Sequence, residues 1–273
     1  MVKAKIILPL AALCLVSCAQ YKWTQVPMDG SRVGATIPST DNVRETLGYI
    51  DNGVYTAPNG KEYVGMVADV AKIMLDAQPV MAPVKEYLGY ADKDMIKDYP
   101  ESSLSNMIVD CMMTATQQVT GRKVDIGLVN FGGIRVDIHK GDVIMDDIMS
   151  MLPFKNKLCY VALKGSDVRY MVEKMAATNM QVLGGVRIKI VNHRIESFLV
   201  GGEPLDDEKV YGLATCDFLL NGGDGIQAAR NAQELIVSDK LVVDAVLPYV
   251  RNLTAQGKTI SYETDGRVQI IND

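Results

Sequence analysis

Three short loops in the sequence combine glycine or proline with side chains that can bind a small molecule. The first, residues 130–135, reads Asn-Phe-Gly-Gly-Ile-Arg and follows a short apolar run. The paired glycines, Gly132 and Gly133, let backbone N–H groups approach a ligand, and Arg135 adds a planar fork of donors for an anionic or hydroxyl-rich group. The alternative is a tight turn that carries a surface arginine.

The second loop, residues 152–156, presents an aromatic ring and an amide in the order Leu-Pro-Phe-Lys-Asn. Pro153 stiffens the backbone ahead of Phe154. Asn156 can both donate a hydrogen bond to a base or ribose and accept one. The alternative is a proline-led turn whose phenylalanine fills the core.

The third loop, residues 218–225, places Phe218 six residues ahead of an aspartate in a glycine-rich turn. That aspartate, Asp224, follows Gly222 and Gly223 and could accept hydrogen bonds from two vicinal hydroxyl groups. The alternative is an Asp-Gly turn in which the carboxylate bonds to its own backbone.

The two aromatic rings in these loops suggest the kind of ligand. The chain has only four phenylalanines, and besides Phe131 in the first loop, two of them, Phe154 and Phe218, lie in the second and third loops. Two rings that face each other can sandwich a planar base, at roughly 1–3 kcal/mol per stacked face. Together with the amide, the carboxylate and the arginine, the rings predict a nucleoside site.

The order and spacing of the three loops resemble the C-terminal domain of the bacterial 5′-nucleotidase and UDP-sugar hydrolase family. Residues 101–110, with Leu104 and Asn106, resemble the opening helix of that domain. The likeness extends from about residue 84 to residue 271.

The resemblance implies a role for each loop residue. Phe154 and Phe218 would stack on the two faces of the base. Asn156 and Asp224 would contact the base or ribose, and Arg135 would lie toward the phosphate or sugar.

The sequence departs from the family in its metal ligands. The resemblance implies an N-terminal metallophosphoesterase domain that hydrolyses with two metal ions, but no Gly-Asn-His or Gly-His-x-His run occurs here. His139 and His193 are interpreted as solvated turn residues. The remaining carboxylates near the first loop are interpreted as turn and helix-start residues: Asp142, Asp146 and Asp147. We therefore expect no metal cofactor on this chain and divalent metals only on a partner metallophosphatase.

A second departure concerns phosphate binding. The family often places two arginines four residues apart just before the opening helix, where this chain has Lys97 and Glu101. Lys97 can serve an anion as a point charge, whereas Glu101 would repel one. Lys97 and Asn106 complete the predicted substrate-binding residues.

The elements that position these loops alternate between helices and strands, with hairpins between them. The apolar spacing predicts a helix over 104–119, capped by Ser102 or Ser103. A helix that starts at Val67 is expected to be interrupted at Pro79 and Pro83. A helix over 241–253 is expected to be kinked or divided at Pro248. Apolar runs predict strands at 124–129, 158–163, 186–190, 195–200, 210–216 and 268–271. This mixture predicts an α/β domain with a mixed sheet.

The first 18 residues read as a bacterial lipoprotein signal. Lys3 and Lys5 precede an apolar run over 6–16 that is too short to span a membrane. Residues 15–18 resemble a lipobox that leaves a lipidated Cys18, the alternative being an ordinary signal peptide with an incidental cysteine. Residues 19–65 are expected to form a tether and a small N-terminal decoration, with turns at 51–53 and 58–60, and residues 66–273 the main domain.

Composition excludes several other functions. The net charge of −5 and the lack of a basic cluster argue against a nucleic-acid polymer as partner. Cys111, Cys159 and Cys216 can form at most one disulfide and are interpreted as buried thiols. The lipid would anchor the chain in the cell envelope, on an outer membrane and facing the periplasm.

The sequence thus predicts a lipid-anchored, nucleotide-binding half of a split 5′-nucleotidase, with hydrolysis dependent on a separate metallophosphatase chain. The alternative is a non-catalytic envelope lipoprotein that binds nucleosides or nucleotide sugars. A third hypothesis is an interaction module that kept the fold and lost the site.

Overall fold

Seven α-helices and fourteen strands form the fold within the residues that the computed structural model describes, residue 36 and residues 38–272. The predictions for residues 1–35, the signal and Cys18 among them, lie outside the described residues. The helices are α1 (Val43–Leu47), α2 (Met66–Met81), α3 (Ser103–Thr120), α4 (Met145–Met151), α5 (Gly165–Ala177), α6 (Asp217–Leu220) and α7 (Val243–Ala255). The strands are β1 (Tyr49–Asp51), β2 (Val54–Thr56), β3 (Glu62–Tyr63), β4 (Tyr87–Ala91), β5 (Ile126–Val129), β6 (Gly141–Ile144), β7 (Lys157–Lys164), β8 (Val182–Gly184), β9 (Val186–Val191), β10 (Arg194–Val200), β11 (Glu203–Pro204), β12 (Val210–Cys216), β13 (Glu234–Leu241) and β14 (Val268–Ile271).

A five-stranded mixed sheet lies at the centre of the domain, with the strand order β13-β7-β12-β5-β8. The strands β12 and β5 pair in parallel, and the other neighbouring pairs are antiparallel. Helix α3 lies so close to this sheet that a Cβ on Gly127 would come within 2.5 Å of the Val109 side chain. The predicted mixed α/β fold is confirmed.

Helix α3 is capped at its N-terminus by a serine pair and ends at a glycine. The Ser102 hydroxyl accepts a hydrogen bond from the Ser105 N–H at 3.1 Å, and the Ser105 hydroxyl accepts one from the Ser102 N–H at 3.0 Å. This reciprocal pair satisfies two N–H groups that the first turn would leave unpaired. Gly121 ends the helix in the left-handed region, at φ +64°. The predicted helix and its cap are confirmed.

A second sheet, in the order β11-β10-β9-β14, packs beside the first as part of the same hydrophobic core. Asn192 and His193 connect β9 to β10 with φ values of +48° and +64°. Two consecutive positive φ values are typical of the tight turn that joins twisted antiparallel strands. The hairpin predicted at these two residues is confirmed, and β14 then adds to β9 in parallel.

Two prolines lie inside helices: Pro79 does not interrupt its helix as expected, and Pro248 does not divide its helix. Helix α2 continues through Pro79 to Met81, and helix α7 continues through Pro248 to Ala255. Pro79 lies two residues ahead of the end of α2, and the helix there tolerates the loss of the one bond that its missing N–H would make to the preceding turn. In α7 the buried face of Ala245, Val246 and Val250 packs against the core, and that packing outweighs the missing hydrogen bond.

Two strands have no clear periodic signal in the sequence. Strand β6 pairs with β4, so Asp142 lies in a strand and the expectation of a turn is wrong there. Asp146 and Asp147 do lie in the first turn of α4, where the Asp147 carboxylate accepts from the Ile144 N–H at 2.7 Å. Strand β13 occupies the sheet edge and has a register shift after Val237 that breaks its alternation.

The three cysteines of the described residues are free and buried, as predicted. Burial raises the pKa of the Cys111 and Cys159 thiols to about 12 and that of Cys216 to about 11. These thiols are therefore protonated near neutral pH and act as apolar core groups. Within the described residues, no helix is both long enough and apolar enough to cross a bilayer.

Candidate functional site

The sheet topology brings the three predicted loops to one end of the central sheet. Residues 130–135 follow β5, and residues 218–225 follow β12, its parallel neighbour. Strand β7 runs antiparallel to β12 and pairs Leu158 with Cys216. The loop 153–156 ahead of β7 therefore reaches the same end of the sheet. We call these three segments the three-loop cluster.

Asn130 joins the first loop to the third. Its side chain is buried and donates from Nδ2 to the Asp224 carboxylate at 2.7 Å. The Oδ1 atom of the same amide has no hydrogen-bond partner among the described residues. Gly132 lies beside this bond, since a Cβ there would be 3.7 Å from Asp224 Oδ2. The alternative of an Asp224 carboxylate bonded only to its own backbone therefore does not hold.

Arg135 joins the first loop to the second. Its guanidinium lies 5.9 Å from the centre of the Phe154 ring and donates to the Gly132 carbonyl at 3.2 Å. A cation over an aromatic face at this distance is a favourable contact. Arg135 remains exposed, so its other donors are open to a ligand.

The two phenylalanines lie outside the core. Phe154 is 46% exposed and Phe218 is 45% exposed, which excludes the core-filling alternative for Phe154. Phe218 lies against Gly223, where an added Cβ would come within 2.7 Å of two ring atoms. Exposed rings on loops that side-chain bonds hold in place are suited to stacking on a planar ligand.

A small recess connects the second loop to Asn130. Phe154 and Asn156 line it together with Asn130, Gly133 and Cys216. The Asn156 carbonyl accepts from the Val242 N–H at 2.9 Å, which fixes the backbone that carries the amide. Asn156 is half-buried. The predicted amide and ring therefore lie in one surface with the first loop.

Asp224 stands at the boundary of a larger cavity. It has φ +50° and follows Gly222, at φ +109°, in a tight turn. The cavity, of about 480 Å³, lies between this turn and α5 and contains Tyr170 and Arg230 in its lining. Asp224 itself is exposed and keeps acceptor capacity beyond its bond to Asn130.

Of the two remaining predicted residues, one reaches the cluster. Lys97 donates from Nζ to the Ile134 carbonyl at 2.8 Å, next to Arg135. Asn106 is buried at 1% exposure and donates instead to Glu101 at 2.8 Å. The structure therefore does not bring Asn106 to the three-loop cluster.

The Glu101 carboxylate accepts hydrogen bonds from residues near the end of the chain. Its Oε1 accepts from the backbone N–H groups of Asp265 and Gly266 at 2.7 and 3.1 Å, in addition to Asn106. These bonds hold the carboxylate between α3 and the segment ahead of β14. The expected repulsion of an anion by Glu101 stays a prediction.

Sequence reasoning missed the residues that hold the loops together. Asp217 accepts from the N–H groups of Lys157 and Phe218 at 3.0 and 2.9 Å and so connects the second loop to the third. The buried Gln181 accepts from the Phe131 N–H at 2.8 Å. The sequence does contain a signal for Asn130 and Asp217, because each is a polar residue that directly follows a buried strand.

No metal centre is evident in the described part of the chain. There, no group of three or more histidine, cysteine, aspartate or glutamate side chains is arranged to hold a metal ion. His139 lies 3.6 Å from the Asp94 carboxylate, and His193 contacts the Ala176 carbonyl at 3.3 Å. The residues present do not fit the two-metal site of a metallophosphoesterase.

The fold is a mixed α/β domain, and the three-loop cluster is its candidate site, at one end of the central sheet. A family model described as 5′-nucleotidase, C-terminal domain, matches residues 84–231, which is more than half of the chain. The chain belongs to this family.

Individual relatives support the assignment. The cell wall protein Lmo0130 of Listeria monocytogenes is 25% identical over 228 residues, covering 73% of this chain and 29% of that protein. Protein UshA of Yersinia enterocolitica is 33% identical over 108 residues, covering 37% of this chain and 19% of that protein. The crystal structure of the 5′-nucleotidase precursor of Thermus thermophilus matches with a TM-score of 0.66 and 26% identity, covering 80% of this chain and 46% of that chain. The chain spans less than half of the length of these relatives.

Proposed function

We propose that this chain is the nucleotide-binding half of a split 5′-nucleotidase. Hydrolysis would require divalent metals carried by a separate metallophosphatase chain. The observation that carries the proposal is the three-loop cluster, whose loops present two exposed phenylalanines, an arginine, an amide and a carboxylate at one end of the central sheet. Membership of the 5′-nucleotidase family supports it.

In this proposal each loop contributes one kind of contact. Phe154 and Phe218 stack on the two faces of the base. Asn156 and Asp224 hydrogen-bond to the base or the ribose hydroxyls, for which a half-buried amide and an exposed carboxylate are suited. Arg135 and Lys97 attract the phosphate, since both are exposed and neither forms an ion pair within the described residues.

Asn130 and Asp217 act as positioning residues. Asn130 holds the Asp224 carboxylate, and Asp217 fixes the backbone of Phe218 against that of Lys157. Because these bonds exist without a ligand, less ordering is needed when one binds. The chain would thus contribute binding and orientation, while the partner contributes the hydroxide-generating metals.

The proposed location is the cell envelope, through a lipid on Cys18. The test is incorporation of a radiolabelled fatty acid by the full chain expressed in a bacterial host. We expect labelling of the wild type and none of Cys18→Ser. Equal labelling of both would contradict a lipid at this position.

The binding proposal is tested by calorimetric titration of residues 19–273 with adenosine. The double variant Phe154→Ala with Phe218→Ala removes both stacked faces, about 2–6 kcal/mol, so affinity should fall at least about 30-fold. Tyr87→Ala serves as the control, because Tyr87 is 54% exposed and lies on β4 outside the cluster. Unchanged affinity in the double variant would reject the stacking site.

The competing function, a non-catalytic lipoprotein that captures nucleosides, predicts the same result of the adenosine titration. It differs in expecting no phosphate release from AMP whatever chain is added. A metallophosphatase that associates with this chain and hydrolyses AMP only in its presence would decide for the split enzyme.

A further inference from the structure

Helix α2 carries a large apolar surface that nothing in the described structure covers. Its members are exposed and include Met66 at 81%, Ile73 at 70% and Val80 at 80%. We call it the α2 surface and define it as Val64, Met66, Val67, Val70, Ile73, Met74 and Val80. Contiguous exposed apolar patches on this scale mark interaction sites.

The α2 surface is distinct from the face by which the helix attaches to the domain. The attached face consists of Ala68, Ala71 and Gln78, which are buried. Met66, Val70 and Ile73 recur at intervals of four and three residues and so form a second stripe, whose members Met66 and Val70 border a recess that Ala71 and Tyr55 also line. One apolar stripe suffices to hold a surface helix, so the second is available for a partner.

The charges of α2 lie in a third sector of the helix. They are Asp69, Lys72 and Asp76, and Lys72 pairs with Asp76 one turn away. A helix that rests on a lipid surface typically has a polar face rich in lysine and arginine, whereas this one has a single lysine against two aspartates. This pattern favours a protein partner over a membrane.

The place of the α2 surface in the chain indicates which partner. Helix α2 ends at Met81, and the match to the C-terminal family domain begins at residue 84. The Thermus 5′-nucleotidase precursor continues for more than half of its length outside the matched part. Because the shared domain is the C-terminal one, that remainder precedes it and joins it at the end where α2 lies.

We infer that the α2 surface is the docking face for the separate metallophosphatase chain of the proposed split enzyme. The inference rests on the proposed split enzyme and deepens it by naming the surface. Two exposed methionines, Met66 and Met74, suit such a face because their flexible thioethers adapt to a partner.

The test compares two double variants of the full chain, tagged and expressed in the organism that makes it. The first, Val70→Glu with Ile73→Glu, places charges in the α2 surface. The control, Val119→Glu with Val210→Glu, changes two exposed valines elsewhere, at 44% and 42%, against 52% and 70% for Val70 and Ile73. Chains are captured from detergent-solubilised envelopes, co-captured proteins are identified by mass spectrometry, and metal-dependent phosphate release from AMP is measured on the captured material.

We expect the wild type and the control to capture a protein with a metallophosphatase sequence. The α2 variant should capture at least tenfold less of that protein. Equal capture by the α2 variant would overturn the docking surface and leave the split enzyme standing. Capture of no metallophosphatase by the wild type would overturn both. Adenosine affinity, measured in parallel, should be unchanged in the α2 variant and so shows that the variant is folded.

Two further measurements distinguish the other occupants. A wild type that sediments as a dimer while the α2 variant is monomeric would assign the surface to a second copy and overturn the inference. Flotation of unlipidated residues 19–273 with phosphatidylglycerol and phosphatidylethanolamine vesicles, lost in the α2 variant, would assign it to a lipid surface. That result would overturn the inference as well.

Discussion

At the scale of single residues, the candidate site depends on one buried amide. Asn130 bonds to Asp224 across 94 positions of sequence and leaves its own Oδ1 without a partner in the described structure. The bond holds the exposed Asp224 carboxylate at a defined place on the third loop. Affinity for a nucleoside should therefore be sensitive to Asn130 even if the ligand never touches it.

Replacing Asn130 with aspartate should weaken adenosine binding, because two carboxylates would then stand about 3 Å apart and repel each other. The loss should be smaller at acid pH, where one carboxyl group is protonated. Calorimetric titrations at pH 7.5 and pH 5 measure both effects. Asn252→Asp, at an exposed position of α7, is the control and should bind as the wild type does. A pH-independent loss would argue against the like-charge explanation.

Gly223 should tolerate no side chain without a shift of Phe218. An added Cβ would lie 2.2 Å from the Phe218 carbonyl oxygen and 2.7 Å from two ring atoms. We expect Gly223→Ala to weaken adenosine binding by roughly the stacking of one face, about 1–3 kcal/mol. Gly201→Ala, where no heavy atom lies within 4 Å, should leave affinity unchanged. Wild-type affinity in Gly223→Ala would show that the Phe218 ring does not contact the ligand.

At the scale of elements, a buried arginine connects the start of β14 to α3. Arg267, with a side chain only 8% exposed, donates to both Asp110 carboxylate oxygens at 2.8 and 3.0 Å. It also bonds to Asp265, and Tyr262 donates to Asp110 at 2.7 Å. The hydrogen bonds from Arg267 lower the pKa of Asp265 below its ordinary value.

Arg267→Met should lower the free energy of unfolding by roughly 2–4 kcal/mol, because it leaves the partly buried Asp110 without its partner. The exposed pair of Arg122 and Glu234 supplies the control, and Arg122→Met should lower the free energy of unfolding much less, because solvent screens an exposed ion pair. Urea titrations of the two variants give the comparison. Similar losses in both would contradict a special role for the buried pair.

The pH dependence follows from the direction of the Asp265 shift. A carboxyl group with a lowered pKa in the folded state adds stability that is fully present above its unfolded pKa of about 3.9. That contribution is lost as the pH falls through the folded value. The difference between wild type and Arg267→Met should therefore be constant near neutral pH and shrink below about pH 4.

At the scale of the whole molecule, the chain has a candidate binding surface and, in its described part, no residues arranged to hold two metals. We expect residues 19–273 alone to release no phosphate from AMP in the presence of Mg²⁺, Mn²⁺ or Zn²⁺, since nothing would generate a hydroxide near neutral pH. A colorimetric phosphate assay on protein of verified purity measures this. Metal-dependent turnover by the chain alone would contradict the split arrangement.

The sequence predicts the positions of the three loops well, because one segment carries the signal for each loop. The glycines, the proline and the phenylalanines of the three loops are each recognisable from their neighbours, and strands ahead of Asn130 and Asp217 are evident as apolar runs. What it could not predict are bonds between distant segments. The donors to Glu101 come from Asp265 and Gly266, more than 160 positions away, and only the packing of β14 brings them there.

The most direct test of the account is a crystal structure of residues 19–273 with adenosine. We predict the adenine ring between Phe154 and Phe218, with the ribose hydroxyls toward Asp224. Adenosine bound elsewhere, such as in the cavity lined by Tyr170 and Arg230, with both phenylalanine rings free of it, would contradict the central claim.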